Sequence, residues 1–219
     1  MNVFDIIGPV MIGPSSSHTA GAVRIGKAAA LLLGTTPVKA DILLHGSFAK
    51  TYRGHGTDKA LAGGIMGMEP WDSRIRDSLK LAAAAGIQVT FSTGTIDGAH
   101  PNTARITLTG SDQRSVQLEG SSVGGGNILI TRINGMEVAF TGQNPTLIIL
   151  HQDIPGVIAE VTAFVSEHQG NICNFRLNRL EKGGDAIMSI ELDSPFSEEL
   201  AGHIREMPHI QEVILFHLS

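Results

Sequence analysis

The pattern of apolar and polar residues is most regular in the last third of the chain. An apolar strand over residues 146–150 runs into a Pro-Gly turn, after which apolar residues recur at helical spacing until a glycine ends the helix. Two strands over 171–180 and 185–193 follow, joined by a Lys-Gly-Gly hairpin turn. Ser197 and the two glutamates after it predict a second helix, and residues 211–218 a last strand. The order β-α-β-β-α-β is that of a ferredoxin-like fold.

The first two thirds of the chain mix helical and strand patterns. Residues 2–7 predict a short helix, residues 22–33 a buried helix and residues 72–85 an amphipathic helix. The strands of a mostly antiparallel sheet are predicted at residues 87–92, 103–109, 114–120, 128–133 and 137–141. The dipeptides Asp97-Gly98 and Asn134-Gly135 have the composition of hairpin turns. This part is therefore expected to be a mixed α/β domain, and the whole chain an α+β protein.

Glycine content and charge place a boundary between the two patterns. Residues 1–145 contain 21 of the 26 glycines and carry 12 Lys/Arg against 10 Asp/Glu, a net charge of +2. Residues 146–219 contain the other 5 glycines and carry 4 Lys/Arg against 11 Asp/Glu, a net charge of −7. A short turn-rich linker lies between them, and we expect two domains, at residues 1–143 and 146–219.

The composition excludes several classes of protein. With 42% hydrophobic and 17% charged residues the chain is expected to be globular, and no stretch approaches the about 18 unbroken apolar residues of a membrane-spanning helix. An acid near the N-terminus and no basic residue before Arg24 argue against a secretory signal, so the default compartment is the cytoplasm. A net charge of −5 and few aromatic residues argue against nucleic-acid binding. The expected partners are small molecules or proteins.

Cys173 is the only cysteine among the 219 residues. One thiol forms no intrachain disulfide and supplies neither a four-thiolate zinc site nor the ligands of an iron–sulfur cluster. No metal site is therefore expected in this chain, and the simplest interpretation of Cys173 is a small buried hydrophobic residue.

Two polar segments carry candidate chemistry, and the first is residues 13–19, directly before the buried helix. Backbone N–H groups at a helix start lack partners and carry partial positive charge, so the hydroxyl residues there can frame a receptor for a carboxylate or phosphate. His18 adds a group that can donate or accept a proton near neutral pH. The alternative is a serine helix cap in a surface loop.

The second polar segment, residues 46–60, follows a strand at residues 40–45 and again places polar loop residues ahead of a helical run. Gly54 and Gly56 flank His55, so the backbone could approach a ligand closely and present the ring. A lone histidine is usually structural. Two histidines in similar polar loops favour a site.

Other conspicuous residues receive structural interpretations. Trp71, beside a proline, is expected to anchor the core, and His45 and His100 are assigned structural roles. Residues 120–124 match the G-x-S-x-G pattern of hydrolases, but that motif needs a following helix, and another strand is predicted there. The Gly-Gly-Gly-Asn run at residues 124–127 is either a bulge-rich turn or a point where the backbone meets a ligand.

The C-terminal pattern resembles the ACT domain, a regulatory module that typically pairs side by side and binds amino acids. The resemblance lies in the apolar strand, the Asp-Ile-Pro-Gly-Val turn, the helix after it and the Gly-Asn-Ile sequence that opens the second strand. It implies self-association through this domain and an effector site between two such domains. That site would be formed by Asp153, Pro155, Gly156, Val157, Asn171 and Ile172. The alternative is that the Pro-Gly turn only starts a helix.

The sequences GPSSSHTAG at residues 13–21, HGSFAKT at 45–51 and GHGTD at 54–58 resemble the beta chain of the iron–sulfur-dependent L-serine dehydratases. With the ACT domain, the resemblance covers essentially the whole chain. In that family L-serine becomes pyruvate and ammonia without pyridoxal phosphate, and the open iron of a [4Fe-4S] cluster acts as Lewis acid on the departing hydroxyl. The cluster cysteines lie in a separate alpha region, and the beta region is similar to the allosteric substrate-binding domain of some phosphoglycerate dehydrogenases.

This resemblance implies roles for individual residues. His18 and His55 would be the catalytic groups, and the substrate-binding set would be Ser15, Ser16, Ser17, Thr19, Thr57 and Asp58. Hydroxyls and helix-start N–H groups would suit the carboxylate of serine, and Asp58 its ammonium. The partner would be an alpha chain that ligates the cluster. The alternative function is a non-catalytic regulatory protein that senses serine or another amino acid.

Overall fold

In a computed structural model, which describes residues 11, 13 and 15–218, the chain forms two compact units, one up to Asn134 and one from Gly135 onward. The helix predicted at residues 2–7 lies outside the described residues. The predicted domain limits at residues 143 and 146 stay a prediction. Within the described part, no helix has the length and apolar character that crossing a membrane requires.

The helices of the first unit begin with a π-turn, Ser17–Gly21, that runs directly into the first α-helix. The α-helices of this unit are α1 (Ala22–Leu33), α2 (Gly46–His55), α3 (Thr57–Ile65) and α4 (Ser78–Ala84). The buried helix predicted at residues 22–33 is thus confirmed, and the left-handed Gly34 ends it.

The second polar segment, predicted as a loop ahead of a helix, is itself helical. Only Gly56 separates α2 from α3, and its φ of 72° lies in the left-handed region that glycine adopts without strain. Its N–H closes α2 by donating to the carbonyl of Tyr52. The helix predicted at residues 72–85 is divided as well, because a 3₁₀ turn, Ser73–Asp77, precedes α4.

The first unit contains the first five strands of a six-stranded sheet, and α1 covers one face of these strands; the sixth strand follows Asn134. The strands of this sheet are β1 (Pro37–Leu44), β2 (Gln88–Thr93), β3 (Thr103–Gly110), β4 (Ser115–Gly124), β5 (Asn127–Ile133) and β6 (Met136–Phe140). Their order is β2-β1-β3-β4-β5-β6. The pair β1–β2 is parallel and the pairs β1–β3, β3–β4 and β4–β5 are antiparallel, so the mostly antiparallel sheet is confirmed.

One of the two predicted hairpin turns is wrong. Asp97-Gly98 joins β2 to β3, but these strands lie on opposite sides of β1, so the connection crosses over and forms no hairpin. Asn134-Gly135 does join neighbouring strands, β5 and β6. Its φ values of 50° and 82° are both positive, as a two-residue hairpin turn of type I′ requires.

The contact between α1 and α3 depends on two glycines. A Cβ atom on Gly64 would lie 2.0 Å from the carbonyl oxygen of Val23, and one on Gly26 would lie 2.3 Å from that of Leu61. The two backbones are therefore closer than any side chain permits. An ion pair between Lys27 of α1 and Glu69, just beyond α3, joins the same two segments.

The second unit has the predicted ferredoxin-like order. Its elements are β7 (Thr146–Gln152), α5 (Val157–Glu167), β8 (Ile172–Arg179), β9 (Asp185–Leu192), α6 (Glu198–Arg205) and β10 (Ile210–Phe216). The four strands have the order β10-β7-β9-β8, with β7–β10, β7–β9 and β8–β9 antiparallel. Ser197 caps α6 as predicted, because its hydroxyl accepts from the N–H of Leu200 at 3.2 Å.

Two residues expected in the core lie at the surface instead. Trp71 is 55% exposed, and the neighbouring Pro70 is buried. Cys173 is exposed because it lies on β8, the strand at one edge of the four-stranded sheet. The G-x-S-x-G segment forms the end of β4 and is followed by a turn and β5, so the exclusion of a hydrolase motif is confirmed.

The glycine contact between α1 and α3 predicts a large loss of stability for Gly64→Ala. The added Cβ meets backbone, which cannot move aside as a side chain could, and we expect the free energy of unfolding to fall by about 3 kcal/mol. Urea denaturation followed by Trp71 fluorescence measures it. The matched control is Gly54→Ala, since a Cβ there meets nothing within 4 Å and alanine favours the helix by about 0.5–1 kcal/mol. Equal stability of the two variants would show that the contact does not limit the packing of α3.

Candidate functional site

His18 is placed by the π-turn at the start of α1. The N–H of Thr19 donates to the carbonyl of Ser15 at 2.9 Å, four residues back as in an α-helix. The N–H of Gly21 donates to the carbonyl of Ser16 at 3.0 Å, five residues back, which widens the turn. Such wide turns are rare and are frequent at functional sites. His18 is only 7% exposed, so its ring lies inside the unit and not in a surface loop.

Three hydroxyl groups contact the His18 ring. The Ser15 hydroxyl lies 3.2 Å from Nδ1, while the hydroxyls of Thr51 and Ser47 lie 3.1 Å and 3.3 Å from Nε2. The Thr51 hydroxyl also donates to the Ser47 carbonyl at 2.9 Å, which uses its only hydrogen. With that hydrogen on the Ser47 carbonyl, Thr51 is placed to accept from Nε2–H of a neutral His18 ring, whose Nδ1 then accepts from Ser15.

Ser47, Thr51 and His55 share one face of α2. Their spacing of four residues places them above one another on the helix, on the side that meets His18. Sequence reasoning missed Ser47 and Thr51 as members of the site because it assigned this segment to a loop. The spacing itself was the signal, and it becomes informative only when residues 46–55 are known to be helical.

His55 and His18 are in ring-to-ring contact. Their centroids are 4.7 Å apart and their planes are at 87°, while the ring of Phe48 lies 5.2 Å from His18 on another side. His55 itself is exposed. Burial lowers the pKa of His18 below its ordinary value, and electrostatic repulsion from the adjacent His55 ring lowers it further, against an opposing hydrogen bond to the Ser47 backbone. The geometry therefore favours a neutral His18.

Thr57 and Asp58 form the start of α3, immediately after His55 and Gly56. Thr57 is fully buried and its hydroxyl has no hydrogen-bond partner among the described residues. Asp58 is 9% exposed, and burial raises the pKa of its carboxyl group. The N–H of Lys59, 2.8 Å from the carboxylate, acts in the opposite direction. A cation placed beside Asp58 would favour the ionised form.

The remaining predicted residues of the first polar segment have different surroundings. Ser16 and Ser17 are half-buried at the helix start. Thr19 is 2% exposed, and its hydroxyl lies so close to Gly13 that a Cβ there would be 2.1 Å away. The structure thus brings Ser15, His18 and His55 together, whereas Thr19 packs inward. The roles of all these residues in binding and catalysis stay predictions.

The predicted effector turn is tied to the β8–β9 hairpin. The Asp153 carboxylate accepts from the N–H of Gly183 at 3.0 Å and from the Arg179 guanidinium at 2.5 Å, and these two groups lower its pKa. Gly156, at the start of α5, has a φ of 102°. These contacts hold the turn in place but identify no ligand.

The other predicted effector residues lie at the two ends of this turn and at the start of β8. Pro155 is exposed and Val157 is buried. Asn171 precedes β8 and donates from its side-chain amide to Asp193, while Ile172 is the first residue of that strand. An effector role for this set stays a prediction.

Metal ligands are not clustered in the described part of the chain. No three His, Cys, Asp or Glu side chains there could hold a metal ion together. Cys173, on β8, belongs to the second unit, whereas His18 and His55 belong to the first. The residues described here do not fit an iron–sulfur cluster.

Comparison with known proteins gives consistent results. Residues 2–88 match the family model described as serine dehydratase beta chain. The chain is 42% identical to the probable L-serine dehydratase beta chain of Bacillus subtilis over 97% of this chain and 96% of that protein. It is 37% identical to the L-serine dehydratase beta chain of Peptoniphilus asaccharolyticus over 93% and 92% of the two chains. It is 29% identical to the D-3-phosphoglycerate dehydrogenase of Methanocaldococcus jannaschii over 57% of this chain and 23% of that protein.

The lowered pKa of His18 predicts that the first unit loses stability in acid. Below about pH 6.5, the ordinary pKa of histidine, the unfolded chain binds a proton that the folded state resists, so the free energy of unfolding falls as the pH falls. We expect urea unfolding, followed by Trp71 fluorescence, to show this loss between pH 7.5 and 5.5. His18→Asn should flatten the dependence, and His203→Asn, in the second unit, should not. A His18→Asn variant with the wild-type slope would refute the assignment.

Proposed function

Because the chain belongs to the family of L-serine dehydratase beta chains, we propose that it supplies one half of an active site that converts L-serine into pyruvate and ammonia. The observation that carries the proposal is the histidine pair. The buried ring of His18 is held by three hydroxyls and is in contact with the exposed His55. That arrangement positions one imidazole and leaves the other able to reach a substrate.

The two histidines are proposed to have different roles. His18 already uses both ring nitrogens, Nδ1 as an acceptor from Ser15 and Nε2–H as a donor to Thr51, so it acts as a positioning residue. His55 is exposed and is proposed to remove the α-proton of L-serine as a general base. Removal of that proton and loss of the β-hydroxyl as water give an enamine, whose hydrolysis yields pyruvate and ammonia.

The substrate would be held between the two helix starts. The first turn before α1 offers backbone N–H groups and the hydroxyls of Ser16 and Ser17 to the carboxylate. Asp58 at the start of α3 would receive the ammonium group, whose positive charge offsets the cost of ionising a buried carboxyl. Thr57, buried with no partner in the described part of the chain, offers a further hydroxyl. Holding both ends of serine would fix the α-carbon beside His55.

The beta-chain family implies an alpha partner, and we propose that this partner completes the site. The [4Fe-4S] cluster of the family would be ligated by the alpha chain, since the described residues of this chain contain no suitable set of ligands. The exposed side of His55 would face that partner. No step of the proposed chemistry in this chain requires a metal ligand from it.

The second unit is proposed to be an ACT regulatory domain. Its βαββαβ order and its strand order β10-β7-β9-β8 support this, as does the fixed turn at Asp153. An amino-acid effector would bind near Asp153, Gly156 and Asn171. Self-association would use the exposed edge strand β8, which carries Leu177 at 40% exposure, and Leu180 follows it at 63%.

The catalytic proposal predicts that His55→Asn inactivates the enzyme. In a complex assembled without oxygen from this chain and a cysteine-bearing alpha chain, we expect kcat for pyruvate formation to fall by about 10²- to 10⁴-fold, the usual contribution of a general base. The control is His203→Asn, whose side chain is exposed on α6 of the second unit. Pyruvate is measured by a coupled dehydrogenase assay.

Two outcomes would contradict the proposal. Wild-type turnover by the His55→Asn complex would remove His55 from the mechanism. Tight, saturable binding of L-serine to the isolated chain in a calorimetric titration, with no turnover by any assembled complex, would favour a non-catalytic sensor instead.

A further inference from the structure

Buried polar atoms without a partner are few in the described part of the chain. They are Thr57 Oγ1, Asn102 Oδ1, Ser122 Oγ and His151 Nε2. A buried polar group left unpaired is costly, so each such group in a folded protein calls for an explanation. Ser122 and Asn102 are neighbours, since the N–H of Ser122 donates to the carbonyl of Asn102 at 2.9 Å.

Ser122 lies beneath the π-turn that carries His18. It is fully buried near the end of β4, and its hydroxyl is so close to Gly21 that a Cβ there would be 2.1 Å away. Gly21 is the last residue of the π-turn, three positions after His18. The hydroxyl therefore faces the element that positions the histidine pair.

Asn102 connects the same place to α2. The preceding carbonyl, of Pro101, accepts from the N–H of Ser47 at 2.7 Å, and Gly46 approaches Pro101 so closely that a Cβ there would be 2.5 Å from its oxygen. Ser47 in turn contacts Nε2 of His18. The backbone at Pro101 and Asn102 thus joins Ser122, beneath the π-turn, to the start of α2.

The neighbouring Ser121 shows that this strand can satisfy a buried hydroxyl. Ser121 is 2% exposed, and its hydroxyl is 2.7 Å from that of Thr103 on β3. The two serines are adjacent on β4 and both are buried, yet only the hydroxyl of Ser121 has a hydrogen-bond partner among the described residues. The position of Ser122 against the site is what distinguishes it.

We propose that Ser122 and Asn102 are binding residues for a hydrogen-bond-donating group of the amino-acid substrate, its ammonium or its hydroxyl. The unpartnered atom of Asn102 is an amide oxygen, which only accepts, and the Ser122 oxygen can accept as well. The inference rests on the proposed function and extends the substrate site from the two helix starts to the sheet beneath them. It also explains why the Ser122 hydroxyl has no hydrogen-bond partner within the described residues, because binding sites often retain polar groups that lower stability until the ligand binds.

The test compares Ser122→Ala with the matched control Ser121→Ala, in the full chain and in the complex with the alpha chain. Ser121→Ala loses a paired hydroxyl, so Tm should fall by about 2–4 °C while KM for L-serine stays unchanged. Ser122→Ala removes an unpaired hydroxyl, so Tm should stay equal or rise while KM rises at least about tenfold. Asn102→Ala should raise KM in the same way.

The inference fails if Ser122→Ala leaves KM unchanged, or if a rise in KM comes with the same loss of Tm as in Ser121→Ala. If the wild-type complex leaves L-serine unconsumed, the proposed function fails. The inference about Ser122 is then tested separately by the rise in Tm that L-serine causes in the complex. A rise that is reduced in Ser122→Ala but not in Ser121→Ala supports it, and equal rises overturn it.

Discussion

The close contact between α1 and α3 is the constraint on which the candidate site depends. Gly26 and Gly64 let the two helix backbones meet without side chains between them. The π-turn that carries His18 precedes α1 directly, and Thr57 begins α3 next to His55. The distance between the two helix starts is therefore set by backbone contact, which is stiffer than contact between side chains. A site of two facing helix starts needs such a fixed separation.

Burial and hydroxyl contacts give the histidine pair its asymmetry. His18 is enclosed by Phe48 and three hydroxyls, and this enclosure favours the neutral ring. The hydroxyl contacts favour a ring hydrogen on Nε2 and a hydrogen bond from Ser15 to Nδ1. His55, one ring away, remains at the surface. The enclosure of His18 lowers stability in acid, and the unpartnered hydroxyls of Thr57 and Ser122 lower it independently of pH. The first unit accordingly gives up stability around His18, as expected where polar groups serve a ligand.

The sequence predicted what periodicity controls and missed what depends on tertiary contact. The βαββαβ unit and the mostly antiparallel sheet followed from apolar alternation and turn residues, and the structure confirms them. The crossover at Asp97-Gly98 was missed because a turn dipeptide does not tell which strand its partner pairs with. Trp71 was misplaced because Pro70, not the ring, takes the inward position. His18 and His55 were named from sequence, but Ser47 and Thr51 needed the helix to be known.

Neighbouring hydroxyls favour a neutral His18, with its hydrogen on Nε2, beside His55. The most direct measurement is the ¹⁵N chemical shifts of the two His18 ring nitrogens at pH 7 in the chain labelled at histidine, assigned through His18→Asn. We expect a protonated Nε2 bonded to Thr51 and an unprotonated Nδ1 that accepts from Ser15. A hydrogen on Nδ1, or a doubly protonated ring at that pH, would contradict it.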